Sequence, residues 1–241
     1  MAEALPSLML PASSWLRAAA HRRWLDAQGQ RLLDFSKPAR VPDGFAPLDD
    51  DGRLSADAGA DAILTARMTH VYAVAAGRGL PGCFPLATHG VAALLGPLRD
   101  ERHGGWFTGP PADGVPPDGG RKQCYLHAFV ALAASSAVVA GVDGARPLLE
   151  EALAVWEHHF WSEEEGVFRE SFAADWSDEE NYRGANANMH AVETCMAVAD
   201  VTGRPVWRQR ALRIVERIIH DLARRYNYDV AENFDRNWAL L

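Results

Sequence analysis

The stretch QCYLHAFVALAASSAVVAGVDGARPLLEEALAVWEHHFWSEEEGVF, residues 123–168, decides the fold. Helical periodicity covers 123–140, breaks at a glycine-bearing link, and resumes over 145–159. A short turn-forming segment, 160–168, closes the unit. The same unit recurs on either side. Helices expected over 61–76 and 84–98 precede LRDERHGGWF (98–107), and helices over 188–202 and 205–223 lead into RRYNYDVAENFD (224–235), a weaker third copy. Gly105-Trp106-Phe107 and Gly166-Val167-Phe168 stand 61 residues apart. A further helix over 15–35, capped by Ser13 or Ser14, starts the chain, and Pro205 after Gly203 marks a helix stop followed by a proline start.

Two helices, a short β-turn segment and a loop, repeated, define a stacked helix-pair array. An open solenoid and a closed α/α toroid of about twelve helices both fit. The even-numbered helices are rich in small residues, as in ALAASSAVVA (131–140), and small side chains let helices crowd around an axis. The odd-numbered helices carry Arg/Glu stripes, as in RQRALRIVER (208–217), which suit a water-facing outer ring. The toroid is therefore favoured: an all-α chain with the even helices inside.

Apolar residues make up 48% of the 241-residue chain, so a core is available and wholesale disorder is excluded. The formal net charge of -8, without a basic run, argues against nucleic-acid binding and for a small-molecule partner. Cys83, Cys124 and Cys195 form no CxxC pair, an odd count that fits a reducing compartment. No signal-peptide pattern and no membrane-length apolar run are read, so a cytoplasmic location is expected.

Polar residues gather at the starts of the even helices: Arg67 and His70; Lys122, Gln123, Tyr125 and His127; Asn186, Asn188, His190 and Glu193. If these helices form an inner ring, their N-terminal ends converge on one mouth of the barrel. Each residue also has a structural reading. Arg67 suits an ion pair with Asp61; His70 and Tyr72 suit packing. Tyr125 and His127 read as buried, hydrogen-bonded core residues. Asn186 and Asn188 read as helix N-caps. His190 and Glu193 share a face at i, i+3, half of a metal site, but no matching ligand set accompanies them. His158 and His159 read as cations at a helix C-terminus. The tract TGPPADGVPPDGG (108–120) reads as a connecting loop or a lid at the mouth.

TARMTHVYAVAA (65–76), GGWF (104–107), KQCYLHAFVALAASSAV (122–138), FWSEEEG (160–166), ENYRGANANMHAVE (180–193), ALRIVERIIHD (211–221) and ENFDRNW (232–238) follow one another in the chain. Together they resemble the mannose and sulfoquinovose isomerase branch of the N-acylglucosamine 2-epimerase superfamily, from about Trp24 onward. The resemblance implies an (α/α)6 barrel and a free aldose as substrate, with no cofactor and no metal. It implies that Arg67, Tyr125, Asn186 and His190 meet the sugar, and that proton abstraction at C2 through a cis-enediol(ate) gives a ketose or a 2-epimer. His190 is the catalytic candidate, orienting substrate oxygens or assisting proton transfer. The family's pattern also runs on past residue 241, where two further helix-borne histidines serve as its principal acid/base pair. Residues 1–241 are accordingly expected to be a single domain, the N-terminal part of such a barrel with about seven helices and an exposed apolar inner face. The alternative is a catalytically incomplete fragment acting at most as a sugar-binding or interaction module. One departure stands out: Ile63 occupies a position where the family usually carries a Trp. A hydrolase on the same fold would need paired carboxylates facing the pocket, and the inner-helix starts offer Arg, Tyr, Asn and His instead.

Overall fold

The structure is a computed structural model and describes residues 14–241. Seven α-helices are present among them: α1 Ala19–Ser36, α2 Ala62–Gly77, α3 Cys83–Leu95, α4 Cys124–Val139, α5 Ala145–Val155, α6 Ala185–Thr202 and α7 Pro205–Val215. The expected helices are all there. The first differs most: Ser14 makes no side-chain cap, a single 3-10 turn covers Trp15–Arg17, and α1 starts only at Ala19. The alternative cap, Ser13, lies outside the described residues. α5 and α7 do not end as regular α-helix. Each widens into a π turn, Trp156–Phe160 and Glu216–Ala223.

Local chemistry sets the boundaries. The Asp61 carboxylate accepts the Leu64 N–H at 2.6 Å and caps α2. Gly203 ends α6 in the left-handed region, and Pro205 opens α7 at a position where its missing N–H costs nothing.

α2, α4 and α6 lie side by side as one layer; α3, α5 and α7 back them one by one. This is the alternating inner and outer arrangement expected from the repeat. Three aromatic side chains tie the outer elements together, from the end of α5 to residue 168 and α7: Trp156 stacks on Phe168 at 4.0 Å and on Trp207 at 5.9 Å, all three fully buried. Rings of this size remove about 150–250 Å² each from water, which makes them the chief apolar contribution of the contact. Val71 and Val74 of α2, Val139 of α4 and Met196 of α6 are exposed.

Among the described residues, eight two-residue strands join the helices at one rim: β1 Arg40–Val41, β2 Gly44–Phe45, β3 Lys122–Gln123, β4 Trp161–Ser162, β5 Val167–Phe168, β6 Ser171–Phe172, β7 Arg183–Gly184 and β8 Asn233–Phe234. All four pairs are antiparallel: β1 with β2, β3 with β6, β4 with β5, β7 with β8. The first two turn segments of the repeat behave alike, Arg99 bridging Trp106 and β4 pairing β5. The third does not. Its β8 reaches back to β7 just before α6, with Arg183 opposite Phe234. Gly105 is obligatory within the first copy. Its φ is +76°, and an added Cβ would sit 2.6 Å from the His127 Nε2.

Candidate active site

The starts of α2, α4 and α6 meet around the ring of Phe129. The Arg67 guanidinium lies 4.9 Å from its centroid, the His190 imidazole 4.7 Å and the Tyr125 ring 5.0 Å; Tyr125 and His190 are themselves edge-to-face at 5.2 Å. Three of the four sugar-contact candidates therefore converge on one aromatic side chain that sequence reasoning did not single out. Its place one turn after Tyr125 was the available signal.

Arg67 is exposed and makes no ion pair among the described residues, so the pairing with Asp61 is not formed; the Asp61 carboxylate is used as the α2 cap. The Tyr125 hydroxyl is likewise free of hydrogen bonds to described residues, so it is not a satisfied core tyrosine. His190 Nδ1 stands 3.1 Å from the Glu193 Oε2, which leaves the Nε2 side of the ring free. Ile63 lies one turn before Arg67 and borders, with Arg67, Phe35 and Leu48, a hollow of about 500 Å³.

Asn186, the fourth candidate, is exposed at the start of α6 and lies in a different hollow. A cleft of about 440 Å³ between α4 and α6 is lined by Gln123, Tyr125, Glu170, Glu180, Tyr182 and Asn186. Tyr125 belongs both to this cleft and to the aromatic cluster and joins the two. Glu170 was missed in the sequence. Its carboxyl accepts the Gly184 N–H at 3.0 Å, and the Glu170 carbonyl accepts the Cys124 N–H at 2.8 Å, so one residue ties the starts of α4 and α6. A Cβ at Gly184 would lie 2.6 Å from the Glu170 Oε2, so a side chain there would push the carboxyl from its place. Burial pushes Glu170 up to about 7; neighbouring Glu180 adds to this, and the Gly184 N–H opposes it. The folded value lies above the unfolded one. Its stability contribution is therefore complete below the unfolded value of about 4.5 and is lost as pH rises through 7.

Asn186 and Asn188 are not N-caps. α6 begins at Ala185, with Gly184 as the cap residue, so both lie inside its first turn. Asn188 is fully buried and sutures α6 to β5: Oδ1 accepts the Phe168 N–H at 2.9 Å, and Nδ2 donates to Phe168 O at 3.0 Å and Gly184 O at 3.1 Å. Asn188→Ala strands both backbone groups of Phe168 and is expected to cost about 2 kcal/mol, readable as a lower urea midpoint at unchanged slope. A midpoint equal to wild type would show that water replaces the amide.

The other candidates are structural. Lys122 is fully buried, with Nζ donating to Asp100 Oδ2 at 2.7 Å and Gly104 O at 3.0 Å. His127 Nδ1 faces Gln123 O at 2.7 Å and Nε2 accepts the Trp106 N–H at 3.2 Å, which fixes one tautomer; burial brings it down to about 3. His70 Nδ1 meets Ser136 Oγ at 2.7 Å and ties α2 to α4. His159 is not a helix-end cation. It stacks on Trp176 at 3.8 Å, and burial, then the charges of His158 and Lys122, bring it down to about 4. The 108–120 tract does not cover the Tyr125 cleft. It borders a separate one of about 650 Å³ beside Asp100 and Arg102.

The helical inner layer presents a guanidinium, an imidazole, a phenol and an amide at its N-terminal rim. The model of the N-acylglucosamine 2-epimerase (GlcNAc 2-epimerase) family matches residues 44–241, and the chain belongs to this family. It is 55% identical over 229 residues to a D-mannose isomerase of Pseudomonas cannabina pv. alisalensis, covering 95% of this chain and 55% of that protein. It is 49% identical over 228 residues to a D-mannose isomerase of Thermobifida fusca, covering 94% and 56%. Among solved structures, a D-mannose isomerase superposes with a TM-score of 0.83 at 26% identity, over 91% of this chain and 58% of that one. The cellobiose 2-epimerase from Spirochaeta thermophila DSM 6192 shares the fold at TM-score 0.78 and 19% identity, over 96% and 61%. The chain thus spans about half the length of the relatives it matches. No helix among the described residues is long and apolar enough to cross a membrane.

Proposed function

We propose that this chain carries the sugar-binding rim of an aldose–ketose isomerase or 2-epimerase acting on a free aldose of the mannose type. The observation that carries the reading is the convergence of Arg67, Tyr125 and His190 on Phe129, with Asn186 in the adjoining cleft. The high identity to two proteins named D-mannose isomerase supports mannose over sulfoquinovose. The described residues act as one domain, since a single apolar cluster runs from Leu33 to Trp238. Three buried free cysteines support a cytoplasmic setting.

The chemistry follows from the donors. A C–H beside a carbonyl becomes usefully acidic only when the oxyanion that forms is stabilised. The opened sugar presents its aldehyde, a base takes the C2 proton, and a cis-enediolate forms. Arg67, Tyr125 and Asn186 supply donors to its oxygens, and His190 orients them or assists the transfer, imidazole being able to take and return a proton near neutral pH. Return of the proton to C1, with the O2 proton moving to O1, gives the ketose. Return to the opposite face of C2 gives the epimer.

The test is an assay of the purified chain on D-mannose, following the ketose. His190→Ala is expected to lower turnover about 100-fold, and Arg67→Ala to lower kcat/KM by about 10-fold or more through loss of a charged donor. Binding without product fits the sugar-binding rim, and ketose formation after the chain is extended through the family's two further histidines would then separate the isomerase from the alternative, a sugar-binding module. A folded chain that neither binds nor converts mannose would end both.

A further inference from the structure

The site described so far consists of donors and an imidazole, and the cleft beside it holds an acid that the proposed reaction does not use. We propose that Glu170 contacts the sugar: its carboxyl, held by the Gly184 N–H between Tyr125 and Asn186, offers its second oxygen to a substrate hydroxyl. This rests on the reading above and adds to it the residue that sets the pH range of sugar binding.

Three observations carry it. Glu170 lines the same cleft as Tyr125 and Asn186, two residues already placed at the sugar. One carboxyl oxygen, Oε2, is fixed by Gly184, while Oε1 makes no hydrogen bond to a described residue and remains available. Every residue lining the cleft carries a polar group, Gln123, Ser171 and Tyr182 among them, while the aromatic rings supply apolar wall, a mixture that suits a polyol better than an apolar ligand.

The surroundings select the neutral acid. Arg183, the nearest guanidinium, is engaged by Glu165 and Glu179. Arg121, on the same cleft, bonds Asp178 and Ser171. Glu180 faces Glu170 with like charge and is bonded by the Ser171 hydroxyl at 2.5 Å. Tyr182 and the buried Cys124 thiol complete the titratable neighbours, and Glu232 lies beyond Tyr182. Among the described residues, the guanidiniums of Arg183 and Arg121 are both held by other carboxylates, and the Arg183 charge only partly offsets the burial of Glu170. A seated sugar would remove water that the charged form needs. The acid form donates Oε1–H to the sugar, so binding weakens as pH rises through about 7.

The experiment is D-mannose binding to the full chain by ligand-observed NMR between pH 5.5 and 8.5. For wild type, Kd is expected to rise about fivefold across this range, the equivalent of one neutral hydrogen bond. Glu170→Gln, whose amide keeps a donor at every pH, is expected to flatten the profile. Glu170→Ala is expected to weaken binding about fivefold at pH 5.5. A residue that only braced α6 would change melting temperature without changing the pH profile of binding. The proposal is overturned if Glu170→Gln keeps the wild-type slope, or if Glu170→Ala binds as wild type does at pH 5.5. Those results leave the isomerase reading standing. Absence of mannose binding by folded wild type at every pH would overturn both.

Discussion

Replacing Asp100 by alanine is expected to cost about 3–5 kcal/mol of folding stability. Among the described residues, Asp100 is the only carboxylate bonded to the Lys122 ammonium, and the lysine side chain has no exposed surface. Without Asp100 the ammonium keeps the Gly104 carbonyl and the Phe107 ring, whose centroid is 3.9 Å away, and neither neutralises a full charge. Burial already pushes Lys122 below the usual lysine value, with Asp100 opposing. Burial also pushes Asp100 up, but Lys122 and the backbone N–H groups of Arg102 and His103 outweigh it and hold the carboxyl below the ordinary range. The stability this gives is present above the unfolded value near 3.8 and is lost as pH falls through the folded one. The pair is asymmetric. Lys122→Met should cost less than Asp100→Ala, because the carboxylate keeps two backbone donors and some solvent. The double substitution Asp100→Leu/Lys122→Met should recover most of the loss, as a buried pair replaced by apolar groups commonly does. Urea unfolding of wild type, Asp100→Leu, Lys122→Met and the double substitution closes the cycle. A loss under about 1 kcal/mol for Asp100→Ala, the range of an exposed pair, would mean that water reaches the ammonium. Lys122 stands three residues before Tyr125, so the same variants should also loosen sugar binding.

How much of this was legible in the sequence depends on the range of the interaction. Some helix limits were readable, those set within a turn or two: α2 begins beside Asp61, and Gly203 and Pro205 punctuate α6 and α7. The convergence of Arg67, Tyr125 and His190 was readable too, since equivalent positions on equivalent helices of a repeat meet when the repeat stacks. Glu170 was not. It sits in a short turn after the acidic run 163–165 and reads as one more solvated charge. Only the pairing of β3 with β6, Lys122 opposite Phe172, carries it to the start of α4. The same limit hid the role of Asn188. Nothing local distinguishes a helix-start asparagine that caps its helix from one that reaches Phe168 on another element. The π turns at Trp156–Phe160 and Glu216–Ala223 were likewise unreadable, because an apolar stripe does not record a local change of hydrogen-bond register.

Arg183 yields the other large effect, and here the direction of the pH dependence decides. Its guanidinium is 2% exposed and makes four bonds: Nε and Nη2 to the two oxygens of Glu165 at 2.8 Å each, Nη2 to Glu179 at 2.7 Å, and Nη1 to Tyr182 O at 3.0 Å. Trp238 adds an indole N–H to Glu165 at 3.0 Å. Burial pushes Glu165 up, but the Arg183 bonds, its charge and Trp238 outweigh this and hold the carboxyl below its ordinary value. In the native chain, therefore, the stability from Glu165 is present above the unfolded value of about 4.5 and is lost on acidification. Arg183→Met removes the cation and leaves a part-buried carboxylate beside a second one, at a cost of about 3–5 kcal/mol near neutral pH. Burial then acts on Glu165 unopposed by the guanidinium. The variant should hold its proton to higher pH and gain stability as pH falls from 7 to 5, the reverse of the native contribution. Thermal melts of both proteins across that range test it, and parallel curves would refute it. The consequence reaches the site. Arg183 immediately precedes Gly184, whose N–H holds Glu170 and whose carbonyl accepts Asn188. Loosening β7 should therefore release the first turn of α6, and with it Asn186 and His190. Glu165→Gln keeps the shape but removes a charge. It should reproduce part of the stability loss and little of the pH reversal, which separates the electrostatic argument from simple loss of packing.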